Sequence, residues 1–173
     1  MPTPAYLLIE GERQGFISSG AFTEPSVGNI YQEGFEDNIL VQSIDHTMTI
    51  PTDPQSGQPS GQRVHCPFVI TKVIDKSSPL LCTAMATGER LSKCEIQLYR
   101  TSVHGTQEHY YTIKLIDAII VNISTTMPHA QNPSSAHLTH LETVSFSYRA
   151  IQWNHEACGT SGEDDWRKPL QTA

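Results

Sequence analysis

The side chains with chemical potential in this sequence fall into three groups: eight histidines, four cysteines and two glycine-flanked serines. The tightest histidine groupings are His137-x-x-His140, the neighbours His65-Cys66, and His155-Glu156 with Cys158 close behind. A zinc site needs three or four converging ligands, and none of these groupings has a zinc-finger or H-E-x-x-H spacing. Neighbours on a regular strand point to opposite faces, so His65 and Cys66 would not reach one ion. The histidines therefore read as surface or packed side chains, and no metal or other cofactor is expected. Cys66, Cys82, Cys94 and Cys158 show no C-x-x-C spacing and read as free thiols of a reducing cytosol. Gly57-Gln-Pro-Ser60-Gly61 and Gly159-Thr-Ser161-Gly162 both miss the G-x-S-x-G order, and neither opens a helix. Neither phosphate-cradling glycine motif, G-x-G-x-x-G nor G-x-x-x-x-G-K-[ST], occurs. Asn122-Ile-Ser124 fits a glycosylation sequon, but it lies in the most apolar strand and reads as a chance match. The expectation is a protein that is not an enzyme.

The balance of 11 Lys+Arg against 18 Asp+Glu gives a net charge of −7, the wrong sign for a phosphate-backbone binder. Charged residues make up only 17%, leaving much of the surface to Ser, Thr, Gln, Asn and Gly, a composition compatible with extensive protein contacts. At 173 residues, one domain spanning 1–173 can bury a sufficient core without disulfides or metal. Met1–Glu10 has no basic segment and an apolar run of four residues, which predicts a chain without a secretory signal peptide, made in the cytosol. No apolar run approaches a membrane span; Ala118–Val121 ends at Asn122.

The elements that would position any site are mostly strands. Pro4–Glu10 is a short apolar run, and Asn38–Ile50 reads as a strand with one change of phase. In Arg63–Asp75, Val64, Cys66, Phe68 and Ile70 fall on one face, with His65, Thr71 and Asp75 on the other. Pro67 implies an edge or a bulge there. Lys93–Val103 and Glu108–Thr125 form a hairpin through His104-Gly105-Thr106-Gln107, the second arm being one bent strand or two in succession. Val144, Phe146 and Tyr148 share a face while Ile151 and Trp153 have the opposite parity, which predicts a bulge near Arg149-Ala150. One helix is predicted over about 78–87, with a Ser77 cap, Pro79 at its start, Gly88 past its end, and Leu80, Leu81, Ala84 and Met85 as its packing face. Pro51–Gln62, with three prolines and almost nothing apolar, is a long loop. Met127–Ser135 is another, and Cys158–Trp166 also reads as loop.

Several blocks, taken together, resemble one family. They are Tyr6-Leu-Leu-Ile-Glu-Gly11; Gly61-Gln-Arg-Val-His65-Cys-Pro-Phe68; Ile70-Thr-Lys72-Val-Ile-Asp75-Lys76-Ser-Ser-Pro79-Leu-Leu81; Thr87-Gly-Glu89; Leu98-Tyr-Arg-Thr101; Tyr110–Leu115; Leu141–Tyr148; Ile151-Gln-Trp-Asn-His-Glu156; and Gly159–Trp166. The chain is similar, from about residue 4 to 168, to the haemolysin-coregulated proteins (Hcp) of bacterial type VI secretion systems. The Lys72–Leu81 and Tyr148–Trp166 blocks are the most specific.

The resemblance implies an all-β fold with one short helix: a β-barrel of two sheets with the helix on its side, like phage tail-tube proteins. It implies homo-hexameric rings that stack into a tube, which a contracting sheath expels together with spike-tip proteins. Small effectors would be carried and chaperoned in the lumen. The protein would assemble in the cytoplasm and be released outside the cell, without nucleic acid or membrane insertion, and with no toxin domain fused to this core.

Under that reading Pro51–Gln62 becomes a candidate arm to a neighbouring subunit or ring, with Pro51, Thr52, Asp53, Pro54, Gln55, Ser56, Gly57 and Gln58 as interface candidates. The alternative for this stretch is a solvent loop. Gln42, Ser43 and Asp45 are candidates for the lumen. Two other readings belong to different classes: a metal-dependent hydrolase built on the histidines, and a carbohydrate-binding β-sandwich presenting Trp153 and Trp166.

Overall fold

The computed structural model describes residues 3–168. Strand β1 (Ala5–Gly11) is apolar on both faces and largely buried on both. One edge pairs with β3 (Ile39–Asp45) and the other with β7 (Arg90–Thr101). From β3 the sheet continues through β6 (Phe68–Val73), β10 (Leu141–Ser147) and β9 (Ala118–Thr126). It returns to β7 through Arg90↔Ile119 and Leu91↔Ala118. Six strands thus close into a ring-like arrangement, less regular than a clean barrel because the β7–β9 seam is two residue pairs wide. The same β7 also starts a second layer: β8 (Gln107–Ile116) pairs with it, β11 (Ala150–His155) with β8, and β12 (Thr160–Asp165) with β11.

The expected hairpin turn forms at Ser102–Thr106, with Gly105 at φ 79°, and the long second arm is two strands rather than one. Asp117, at φ 51°, separates β8 from β9; an Asp tolerates this left-handed conformation better than most residues. Opposite it, β10 gives way to β11 at Tyr148–Arg149 with the pairing register unchanged across the gap; the bulge lies at Ser145/Phe146 rather than near Arg149-Ala150 as expected. Arg149 Nη1 lies 2.9 Å from Asp117 Oδ2 and ties the two bends together. Both strand pairs therefore cross from barrel to second layer at one corner.

The core is one cluster that includes Leu7, Ile9, Ile39, Val41, Phe68, Ile70, Ile96, Ile120, Val144 and Phe146. Complete burial of such side chains contributes about 1.5–3 kcal/mol each. Lys72 continues the parity of Phe68 and Ile70, and Glu142 that of Val144 and Phe146; they are direct cross-strand partners. An ion pair thus ends the inner apolar file. Lys72 is fully buried, and its Nζ donates to Glu142 Oε2 (3.0 Å), Asp75 Oδ1 (3.1 Å), Ser78 Oγ (3.0 Å) and the Val73 carbonyl (2.9 Å). Ser78 Oγ donates in turn to Glu142 Oε2 (2.8 Å). The periodicity of the sequence did not reveal this network.

Helix α2 (Ser78–Thr87) packs against β9 and ends as expected, with Gly88 in the left-handed conformation at φ 63° and its N–H on helix carbonyls. Its start differs from expectation. Ser77 makes no side-chain cap; the Asp75 carboxylate accepts the Ser77 N–H at 2.8 Å and does the capping. The packing face also differs: Ser78, Leu81 and Ala84 are buried, whereas Leu80 and Met85 are exposed, because the ion network draws the Ser78 side toward the barrel.

Three further expectations are corrected. Arg63–Asp75 is not one strand, because Pro67 separates β5 (Val64–His65) from β6; His65 is buried and Val64 exposed, the reverse of the expected parity. Thr160–Asp165 is a strand, not loop, since the full length of β11 supplies its ladder partners. A second helix exists beside the expected one: a single turn, α1 (Glu24–Val27), followed by a 3-10 turn (Gly28–Ile30). The segment around α1 covers the outer face of β1, with Tyr6 stacked on Phe35 at 4.0 Å and tilted against Phe22. Burial, and then the neighbouring Tyr99, push the Tyr6 hydroxyl pKa up to about 12.

Removing one partner of a buried ion pair strands the other, at a cost of about 3–5 kcal/mol. Lys72→Ala leaves the Asp75 and Glu142 carboxylates buried without their cation and is therefore expected to lower the urea-unfolding free energy by that amount, whereas Glu142→Ala leaves Lys72 paired with Asp75 and should cost less. Lys72→Met combined with Asp75→Asn and Glu142→Leu should recover a large part of the Lys72→Ala loss; a loss no smaller than that of Lys72→Ala alone would refute the ion-pair account.

Candidate functional site

Residues 46–66 leave the barrel as a projecting arm. β4 (Met48–Thr49) pairs with β5 through Met48↔His65 and Thr49↔Val64, and the Cys66 N–H donates to the Thr47 carbonyl. Pairing continues outward: the Ser60 N–H donates to the Pro51 carbonyl (2.8 Å), Thr52 bridges Pro59, and the Asp53 N–H donates to the Gln58 carbonyl (2.8 Å). The stretch expected to be a long loop is thus a paired ribbon with a short tip. At the tip, Asp53 Oδ1 accepts the Gln55 N–H and Oδ2 accepts the Ser56 hydroxyl, which holds its carboxyl below the usual range. Pro51, Thr52, Pro54, Gln55, Ser56, Gly57 and Gln58 are exposed and Asp53 is half-exposed. Met48, Ile50 and Val64 place three apolar side chains on the arm at 42–45% exposure. Prolines 51, 54 and 59 remove donors from the ribbon edges, which limits indiscriminate strand addition.

A two-stranded ribbon is marginal in water by itself, so its base must be held. Both legs are held by one hydroxyl. Tyr148 Oη lies 2.6 Å from His46 Nε2 on the incoming leg and 2.8 Å from His65 Nδ1 on the outgoing leg. His65 Nε2 meets Asp164 Oδ2 of β12 at 2.7 Å. Arg63 donates to both oxygens of the same carboxylate and, through Nη2, to the Asp165 and Lys168 carbonyls. Trp166 Nε1 donates to the Tyr148 carbonyl (2.7 Å), with its ring beside His65. Burial, then Asp164, raise the Tyr148 hydroxyl pKa. Burial, then the neighbouring His65, lower that of His46 against an opposing pull from Asp45. The Arg63 hydrogen bonds hold Asp164 below the usual carboxylate range. A cleft of about 680 Å³ lies between the arm base and the second layer, lined by Met48, Arg63, Arg149, Trp153, Asp165 and Lys168 among others.

The structure brings Pro51–Gln58 together as the arm tip. Gln42, Ser43 and Asp45 lie exposed on β3, where a shift in pairing register between Val41 and Ser43 gives the expected change of phase. His137 and His140 are exposed in the 127–140 loop, and His155 Nδ1 accepts the Cys158 N–H. Among the described residues, no three His, Cys, Asp or Glu side chains converge on a point suited to a metal ion. Trp153 packs on the core and Trp166 on His65. Sequence reasoning missed the anchor, since its members lie about a hundred residues apart. The one available signal was that His65 and the Tyr148–Trp166 block both stand in the family-like segments.

Comparison with known proteins bears directly on this geometry. The sequence model of the family described as "Type VI secretion system effector, Hcp" matches residues 6–155. The chain is 64% identical over 170 residues to the major exported protein of Pseudomonas aeruginosa, covering 98% of this chain and 99% of that one. A solved structure described as "Crystal structure of Hcp protein" matches with a TM-score of 0.92 at 53% identity, over 97% of this chain and all of that one. The secreted protein Hcp3 from Pseudomonas aeruginosa matches with a TM-score of 0.82 at 56% identity, over 96% and 100% of the two chains.

Because the folded pKa of Asp164 is depressed, its stabilising contribution is present above the unfolded value of about 3.9 and is lost as pH falls through the folded value. Urea unfolding of the parent and of Asp164→Asn is expected to differ clearly at pH 6–7, and the difference to shrink progressively as the pH falls below about 3.9. A difference that stays constant across that range would show that the carboxylate charge is not what anchors the arm.

Proposed function

We propose that this chain, which belongs to the Hcp family of type VI secretion systems, is a non-enzymatic structural subunit of the secretion tube. Six copies form a ring, rings stack into the inner tube, and contraction of the surrounding sheath expels the tube with its spike-tip proteins. Small effectors travel in the lumen. Assembly takes place in the cytoplasm, and the protein is released outside the cell, in keeping with the exported relative. The observation that carries the reading is 64% identity to that relative along nearly the whole chain, together with structural correspondence to an Hcp protein over 97% of it.

The architecture supports it physically. A ring closes through a head-to-tail interface, in which two different patches of one surface meet. The arm is a candidate for one of these patches: an ordered ribbon, rigidly rooted, that carries exposed Met48, Ile50 and Val64. Apolar side chains held by an ordered backbone are the kind of surface that a neighbouring copy buries. On this reading Pro51–Gln58 reaches the adjacent subunit or ring, and Gln42, Ser43 and Asp45 contribute polar groups to the lumen wall.

Shortening the arm by replacing Pro51–Gln62 with a two-residue turn should leave the barrel folded, with circular dichroism unchanged. It should weaken ring closure or ring stacking, seen by light scattering after size-exclusion chromatography and by negative-stain microscopy. A shortened protein that assembles like the parent removes the arm from this role. A strictly monomeric parent at high concentration, with no rings in micrographs, removes the tube reading itself.

A further inference from the structure

The arm anchor contains more titratable groups than a purely structural clamp requires, and its hydrogen bonds restrict how many protons it can hold. Asp164, already in contact with Arg63, accepts from His65 Nε2–H. With His65 neutral, Nδ1 has no hydrogen and accepts the Tyr148 O–H. The phenol oxygen then accepts His46 Nε2–H, and every donor has an acceptor. With one added proton on His65, Nδ1–H donates to the phenol oxygen. The phenol O–H turns to a neutral His46 with a bare Nε2, and all groups are again matched.

A second proton breaks the pattern. Two imidazolium N–H groups would then point at one phenol oxygen, whose own hydrogen has lost its acceptor. The ring centroids are 6.4 Å apart, and the carboxylate that could screen them, Asp164, is shared with Arg63. The other titratable or charged groups facing the pair are Asp45 beside His46, Cys66 beside Tyr148, and Asp165 and Lys168, whose carbonyls hold Arg63. Phe68 of β6 closes the remaining side of His46 at 5.2 Å. Asp45 is exposed and bonded to neither ring, so it does not replace the missing acceptor.

We infer that His46, Tyr148, His65 and Asp164 form an acid-sensitive latch on the arm, closed with zero or one proton on the two imidazoles and opened by the second. His46 is where β3 hands over to the arm, so losing its link to Tyr148 frees the incoming leg while Arg63 and His65 retain the outgoing one. The inference stands on the geometry of the arm base and is independent of the ring reading. The depressed pKa of His46 agrees in sign: the stabilisation it gives is present above its unfolded value of about 6.5 and is lost as pH falls through the folded value.

The test is amide hydrogen exchange of the full-length chain between pH 7.5 and 5, corrected for intrinsic rates, at a concentration where light scattering shows the same oligomeric state throughout. Uptake of one proton on opening makes the opening constant of the incoming leg rise about tenfold per pH unit below 6.5, while β1 and β7 stay unchanged. His46→Gln keeps a donor to Tyr148 without a titrating ring, and should abolish the pH dependence with the arm still protected. Flat exchange in the parent, or an equal slope in His46→Gln, overturns the latch. Histidine NMR of the unmodified protein gives a test that needs no variant: the His46 ring must take up its proton below its unfolded value of about 6.5, and uptake at or above that value overturns the latch as well.

Discussion

Residues Glu95–Leu98 of β7 are hydrogen-bonded along both edges, to β1 on one side and to β8 on the other, and the rest of the molecule follows from that double engagement. A strand shared in this way belongs both to the closed set of six and to the layer that ends in β12. The barrel can therefore close around an apolar interior while a second sheet departs from it without a separate core. The one corner at Asp117 and Tyr148–Arg149 is where paired strands pass between the two, and the arm anchor is built at that corner. Position in the sheet, rather than any local motif, thus makes Tyr148 the meeting point of His46 and His65.

The two buried polar networks show how depth changes what ionic groups do. Lys72, Asp75, Ser78 and Glu142 are shut away from water with their charges opposed and their hydrogen bonds matched, so they close the end of the core. The arm anchor is half-buried, and its charges reach solvent through Arg63 and Asp164, whose side chains are 12% and 23% exposed. At the first site desolvation makes each charge depend on its partners, so removing one of them is costly. The second holds imidazoles close to solvent, the condition for a group to report on its surroundings.

Much of the architecture was legible in the residues because its signals are local. Gly88 after a run of helix formers, Gly105 between two alternating segments, and the alternation of Val144, Phe146 and Tyr148 each act within a few positions, and each element formed where it was expected. The errors have a common physical origin in interactions that are distant along the chain. β12 has little intrinsic strand propensity and forms because β11 provides a complete ladder. Leu80 and Met85 lost their expected place because a lysine on another strand fixed the rotation of α2. His65 is buried against the predicted parity because Asp164 and Tyr148 lie beneath it. The interface and lumen candidates lie on exposed segments, where no contact within the chain assigns them a use.

The separation in sequence between the arm and its clamp also imposes an order in time. Arg63 and His65 leave the ribosome about a hundred residues before Asp164. At roughly 5–20 residues per second, the nascent chain carries an unclamped arm for about 5–20 s. The barrel partners β3 and β6 are already present in that interval, but the carboxylate that fixes the outgoing leg is not. A chain still being synthesised therefore differs from a finished one at its most projecting element, and the formation of β12 marks the step at which that difference disappears.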